Sequence, residues 1–166
     1  FGRRAARGTD YVLEGVEVAH AIKGRVPVKL VWTREDDTAA GNYRPMFLHA
    51  VRGALDAAGT LVAWHHRAVG QAFWEAEPGK VDMVAVEGIA DLLYDVPNLL
   101  VEAATPDVGV PTQWWRSVGH SHTAFAKECF VDELARAAGA DPVAFRRTLL
   151  AKQPRPKGNR LTIITN

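Results

Sequence analysis

The stretch that decides the fold runs from residue 46 to residue 69 and reads MFLHAVRGALDAAGTLVAWHHRAV. It contains two strand-like runs, Met46 to Leu55 and Leu61 to Val69, separated by Asp56-Ala57-Ala58-Gly59. Aspartate and glycine are typical of tight turns, and Gly59 can adopt the positive φ that such a turn needs. The stretch therefore predicts a long β-hairpin.

Helical and strand-like segments flank this hairpin on its N-terminal side. Thr9 or Asp10 can cap a helix that reaches about Lys23, and Gly24 can end it in a left-handed conformation. Val28 to Trp32 alternates as a strand, and Arg34 to Tyr43 is expected to form an acidic loop or a single helical turn.

On the C-terminal side, we expect a helix over Lys80 to Leu93 and a strand over Leu99 to Ala104. Ser121 can cap a helix that ends near Ala138, and Asp141-Pro142 can start a last helix that reaches about Leu150. Taken together, these segments predict the α+β class, with a mixed or antiparallel sheet, a long hairpin and flanking helices.

The helix that starts near Ser121 gives the clearest helical signal. We expect its buried side to contain Phe125, Cys129, Leu134 and Ala138. Cys129 would then be a buried, unreactive thiol. Asp132 and Arg136 are four residues apart and are expected to pair.

Composition excludes several classes of function. A chain of 166 residues with 48% hydrophobic residues can form one domain with a real core. The formal net charge of +1 gives no global field for nucleic acid. The single cysteine, Cys129, rules out an intramolecular disulfide or a cysteine-rich cluster in this chain, and no apolar run is long enough to cross a membrane.

A second informative stretch is Trp114-Trp115-Arg116-Ser117-Val118-Gly119, which directly precedes the helix. Its planar guanidinium suits an oxyanion or a phosphate, and the start of a helix offers unpaired N–H groups. These features predict an anion-binding pocket. The alternative is an ordinary exposed arginine that packs on Trp115 at a loop–helix junction.

Three blocks of the sequence resemble the molybdenum hydroxylases, the family of xanthine dehydrogenase and aldehyde oxidase. They occur in the family's order, and the likeness is greatest to the large, molybdopterin-binding subunit of isoquinoline 1-oxidoreductase-type enzymes. The blocks are Phe1-Gly2-Arg3-Arg4; Pro27 to Asp37 with Tyr43-Arg44-Pro45; and Trp115 to Gly119 with Phe125, Glu128, Phe130 and Asp132 to Ala135.

This resemblance implies an enzyme that hydroxylates N-heteroaromatics or oxidises aldehydes, with water as the oxygen source. Its cofactor would be molybdenum-molybdopterin, in the cytosine dinucleotide form, with iron–sulfur clusters on a small [2Fe-2S] partner subunit. Phe1, Gly2 and Arg116 are the implied cofactor-binding residues, and Arg116 is also the implied catalytic residue. Val118 stands where flavin-linked members have phenylalanine, which argues against purine-type stacking of the substrate. The substrate stays open between an aldehyde and an N-heterocycle.

The resemblance also implies that the chain is an internal fragment. Residues 1–150 would form part of a molybdopterin-binding α+β domain, and residues 151–166 a linker or an atypical tail. The family's catalytic glutamate and its metal-contacting glutamine would lie in the rest of the large subunit, so the fragment alone is predicted to be inactive. Bacterial cytoplasm and periplasm both stay open as locations, and a non-catalytic α+β interaction module is the alternative function.

The histidines do not predict a metal site. His120 and His122 lie two apart, but no third ligand has the spacing that a zinc site needs. His65 and His66 should point to opposite faces of a strand, so they are not expected to act together. Glu35-Asp36-Asp37 is interpreted as the first turn of a helix or as a solvated loop.

Overall fold

The computed structural model describes residues 10–74, 80–150 and 160–163. The chain divides into two compact units, one of Phe1–Pro45 and Val108–Trp115 and the other of Met46–Asp107 and Arg116–Asn166. The elements, in chain order, are α1 (Asp10–Ala21), α2 (Arg34–Ala40), β1 (Phe47–Leu55), β2 (Leu61–Gly70), a short 3₁₀ helix (Met83–Val86), β3 (Asn98–Ala104), α3 (His120–Ala137), α4 (Pro142–Leu150) and β4 (Arg160–Ile163).

The second unit is built on a four-stranded mixed sheet with the order β1-β2-β3-β4. Strands β1 and β2 are antiparallel, whereas β2 pairs with β3 and β3 with β4 in parallel. The predicted hairpin is confirmed, and its turn is closed by the Asp56 carboxylate, which accepts the backbone N–H groups of Ala58 and Thr60. Gly59 has the expected positive φ of 78°. The α+β class and the mixed sheet are therefore confirmed.

One face of this sheet carries the core. Trp64, Ala68 and Val101 point into it and are at most 1% exposed. Helix α3 packs on this face because Gly53 leaves room for it: a Cβ at position 53 would lie 2.9 Å from Cδ2 of Leu134. The ring of Phe130 meets that of Trp64 edge-on, at a centroid distance of 4.9 Å.

Helices α3 and α4 are joined by one arginine. Arg146 of α4 donates to Glu128 at 3.0 Å and to Asp132 at 2.6 Å, both on α3. Neighbouring carboxylates, chiefly Asp132, raise the pKa of Arg146. Asp132 therefore pairs with the next helix, and the expected i,i+4 pair with Arg136 is wrong.

The buried side of α3 also differs from the prediction. Thr123, Val131, Leu134 and Ala135 are buried, whereas Phe125 is 76% exposed and Cys129 is exposed. The spacing of apolar residues along α3 is compatible with either set of buried positions. The set that is buried lies on the side of the helix that faces Gly53 and the ring of Trp64.

Two other predicted elements are wrong. Val28 to Trp32 forms no strand within the described part of the chain. Lys80 to Leu93 is not one helix: only Met83–Val86 is 3₁₀-helical, and Gly88 follows with a φ of 81°. The left-handed backbone at Gly88 is incompatible with a continuous α-helix through this segment.

The first unit contains α1 and α2. Helix α2 starts at a capping box, in which Thr33 and Asp36 each accept the other's backbone N–H, and it is seven residues long rather than a single turn. Trp32 donates its indole N–H to Glu14 of α1 at 2.9 Å. An isolated parallel bridge joins Tyr43 to Thr112.

Strand β4 lies at the edge of the sheet of the second unit and pairs in parallel with β3. It falls within residues 151–166, the part of the chain predicted as a linker or an atypical tail. The division into a domain of residues 1–150 and a tail of residues 151–166 stays a prediction.

Candidate functional site

The turn that contains Arg116 leads directly into α3. Arg116 is exposed, and within the described part of the chain it makes no hydrogen bond or ion pair. The next two residues, Ser117 and Val118, have positive φ angles of 70° and 39°. This conformation costs a non-glycine residue about 1–3 kcal/mol and is concentrated at functional sites.

The start of α3 differs from the predicted anion pocket. The N–H of Gly119, the N-cap residue, donates to Oε2 of Glu87 at 3.0 Å, so a carboxylate of the chain itself takes this donor. The expected cap, Ser121, instead lies inside the helix and donates its hydroxyl to the carbonyl of Val118. The N–H of Gly119 is therefore already paired within the chain, whereas the side chain of Arg116 is exposed.

The sequence reasoning missed Glu87, which belongs to the segment wrongly predicted as a helix. Oε1 of its carboxylate lies 3.6 Å from Nε2 of His120, and its backbone carbonyl accepts the Thr123 hydroxyl at 2.7 Å. No local pattern could have indicated it, because 32 residues separate Glu87 from Gly119.

A chain of three imidazoles lies behind the first turn of α3. Nδ1 of His49 is 2.8 Å from Nε2 of His66, and Nε2 of His49 is 3.0 Å from Nδ1 of His122. The ring of His122 also stacks on Phe47, at a centroid distance of 3.7 Å. These contacts tie α3 to β1 and β2.

Burial keeps these imidazoles neutral. Desolvation lowers the pKa of His66 to about 3 and that of His122 to about 4, with a smaller contribution from neighbouring imidazoles, and it lowers the pKa of His49. His65 points to the opposite face of β2, as predicted, and its Nε2 lies 2.6 Å from Glu102. Among residues 10–74, 80–150 and 160–163, no group of histidine, cysteine or acidic side chains could hold a metal ion.

For the other predicted site residues, the assignment stays a prediction. Phe1 and Gly2 lie outside the described residues. Trp115 is the last residue of the first unit and Arg116 begins a segment of the second, so the predicted packing of Arg116 on Trp115 stays a prediction. Trp114 and Trp115 are partly buried.

Comparison with known proteins gives one family. The family model described as "Molybdopterin cofactor-binding domain" matches residues 1–150. A solved structure of the aldehyde oxidoreductase of Desulfovibrio gigas superposes with a TM-score of 0.64 and 25% sequence identity. That match covers 89% of this chain and 16% of the other.

Two curated relatives cover nearly the whole chain. A membrane-bound aldehyde dehydrogenase [pyrroloquinoline-quinone] of Gluconacetobacter polyoxogenes is 35% identical, over 95% of this chain and 22% of its own length. The isoquinoline 1-oxidoreductase subunit beta of Brevundimonas diminuta is 31% identical, over 93% of this chain and 20% of its own. The chain thus spans about a fifth of the length of these relatives. In the described part of the chain, no helix combines the length and apolarity that a membrane span requires.

Proposed function

This chain belongs to the molybdopterin cofactor-binding domain family, and from that premise we propose the activity of the protein that contains it. The protein is a molybdenum-dependent oxidoreductase that hydroxylates N-heteroaromatics or oxidises aldehydes, with water as the oxygen source. The chain is the part of the large subunit that holds one side of the cofactor. The observation that supports this most is the match of the family model to residues 1–150.

The turn at Arg116 fits an anionic cofactor. Its guanidinium is exposed and has no partner among the described residues, and it is held on a backbone of unusual conformation. When bound, the molybdenum cofactor supplies the two-electron oxidation of a carbon centre. Arg116 binds the pterin side or the substrate and stabilises negative charge that develops on a substrate nitrogen or oxygen. We assign cofactor contact to Phe1 and Gly2 on the resemblance alone.

The finer assignments follow from the same proposal. The cofactor is the cytosine dinucleotide form, and electrons leave through a separate [2Fe-2S] subunit. The name "subunit beta" of the isoquinoline relative supports an assembly of several subunits. The chain alone has no turnover, because it spans only about a fifth of such relatives.

The Gluconacetobacter relative carries pyrroloquinoline-quinone in its name, which favours a second candidate cofactor. The two candidates differ in one measurable property. A molybdenum enzyme contains about one metal atom per large subunit after purification of the full-length protein, whereas a quinone enzyme contains the quinone without molybdenum. Metal analysis together with extraction of the cofactor separates them, and a protein that binds neither would support the non-catalytic module.

The role of Arg116 is tested with Arg116→Lys in the full-length protein. Lysine keeps the charge but loses the planar fork, so we expect turnover per bound molybdenum to fall about 10²-fold, with little change in melting temperature. The matched control is Arg52→Lys, an exposed arginine on β1 of the same unit, which should leave both quantities unchanged. Normal turnover in Arg116→Lys with a lower melting temperature would make Arg116 a structural residue.

A further inference from the structure

The first turns of α3 rest on a short segment between the 3₁₀ helix and Asp91. We propose that Glu87, in this segment, is a positioning residue that holds the start of α3 and thereby orients Arg116. The inference rests on the proposed function, because it gives Glu87 a role in the action of Arg116. Glu87 acts through the backbone and is not itself a catalytic residue.

Glu87 contacts α3 at three successive points. Its carboxylate accepts the N–H of Gly119 at 3.0 Å and lies 3.6 Å from Nε2 of His120. Its backbone carbonyl accepts the hydroxyl of Thr123, which is fully buried. A negative group at this end also stabilises the helix by its interaction with the helix dipole.

Among the described residues, no other side chain accepts a hydrogen bond from the N–H of the N-cap residue. Gly119 makes no side-chain cap hydrogen bond, and the hydroxyl of Ser121 is turned to Val118. Gly119 itself touches the backbone of Val84 so closely that a Cβ would collide with the carbonyl oxygen. The start of α3 thus packs closely against the segment that contains Glu87. The hydrogen bond from the N–H of Gly119 to the Glu87 carboxylate fixes the helix start there.

The effect reaches Arg116 through only two residues. Ser117 and Val118 lie in the left-handed region, a conformation that persists only when the surrounding structure enforces it. Arg116 has no side-chain bond of its own in the described part of the chain, so the position of its guanidinium depends on this backbone. A displacement of about 1 Å at a reacting centre can cost about 10²-fold in rate.

Hydrogen exchange tests, without any cofactor, whether Glu87 holds the start of α3. In the full-length protein, Glu87→Ala should speed amide exchange in the peptide that covers residues 116–121 by about tenfold or more. Glu87→Gln, which keeps an acceptor oxygen, should change it much less. The control is Asp141→Ala, which removes the carboxylate that caps α4 through Val143 and Ala144 and should leave this peptide unchanged. Unchanged exchange in Glu87→Ala overturns the proposal.

A double-mutant cycle tests whether Glu87 affects turnover through Arg116. Glu87→Ala alone should lower kcat per bound molybdenum roughly tenfold, whereas in an Arg116→Ala background it should have almost no further effect. If the two losses multiply instead, Glu87 does not act through Arg116 and the proposal is wrong. If Glu87→Ala does not fold, Glu87→Asp, whose shorter carboxylate cannot reach Gly119, is measured in its place under the same criterion. A wild-type protein without molybdenum would refute the proposed function, and the exchange result would still decide whether Glu87 holds the turn.

Discussion

Helices α1 and α3 are both amphipathic, yet only α3 has one side that is buried within its own unit. On α3, Val131 and Ala135 are fully buried and Leu134 is 6% exposed. On α1, five large hydrophobic residues are 44–58% exposed, namely Tyr11, Val12, Leu13, Val16 and Val18. An apolar stripe therefore predicts a helix but does not tell what covers it.

The difference lies in what each helix meets. Helix α3 meets a sheet face with a gap at Gly53, the imidazole of His49 and the carboxylate of Glu87. Most of the side chains that hold it come from distant parts of the chain. Stability in this protein should accordingly depend strongly on α3 and weakly on α1, and the following predictions test that contrast.

The largest effect is expected from acid. Unfolded histidines bind protons with a pKa near 6.5, whereas folded His66 and His122 do so only near 3 and 4, so the unfolded chain binds more protons between these values. This stability is complete above pH 6.5 and is lost as the pH falls towards 3. We expect the free energy of unfolding to drop by about 2–4 kcal/mol between pH 7 and pH 5.

Urea unfolding at several pH values measures this loss. His122→Phe retains a ring that can stack on Phe47 but does not titrate, so its acid loss should be clearly smaller than that of the wild type. His20→Phe, on the exposed last turn of α1, is the control and should lose as much unfolding free energy with acid as the wild type does. If both variants lost the same unfolding free energy with acid, this result would contradict the role of the buried imidazoles.

The next effect concerns two glycines. Gly119→Ala should destabilise the protein by about 3 kcal/mol, because its Cβ would collide with the backbone of Val84, which cannot move aside cheaply. Gly15→Ala, inside α1, has no atom within 4 Å of its new Cβ and should be neutral or stabilising by about 0.5–1 kcal/mol. Thermal unfolding of both variants decides it, and a Gly119→Ala variant of wild-type stability would contradict the close approach.

A smaller contrast comes from two valines. Val131→Ala on α3 removes two fully buried methyl groups and should cost about 2 kcal/mol in the free energy of unfolding. Val16→Ala on α1, at a position 58% exposed, should change it by less than about 0.5 kcal/mol. Similar losses in both, measured in urea, would mean that the exposed face of α1 is covered in solution.

Much of the fold was predictable from the sequence. The hairpin, β3, α3 and α4 were placed within a few residues, and Gly24 and Gly59 adopt the positive φ expected of them. These features depend on residues close in the chain: turn residues, capping residues and short-range periodicity. Arg116 was also found from its local pattern, and its role as a binding residue stays a proposal.

The sequence by itself thus determined the class, the family, and the places of the hairpin, β3, α3 and α4. Only the tertiary structure decided which stripe of α3 is buried, that Lys80 to Leu93 is not one helix, and that Glu87 rather than Ser121 holds the start of α3. It also decided that His49 meets His122, 73 residues away. Local preferences act between neighbours, whereas these contacts depend on which surfaces face each other once the chain has folded, and no pattern within a single segment contains that information.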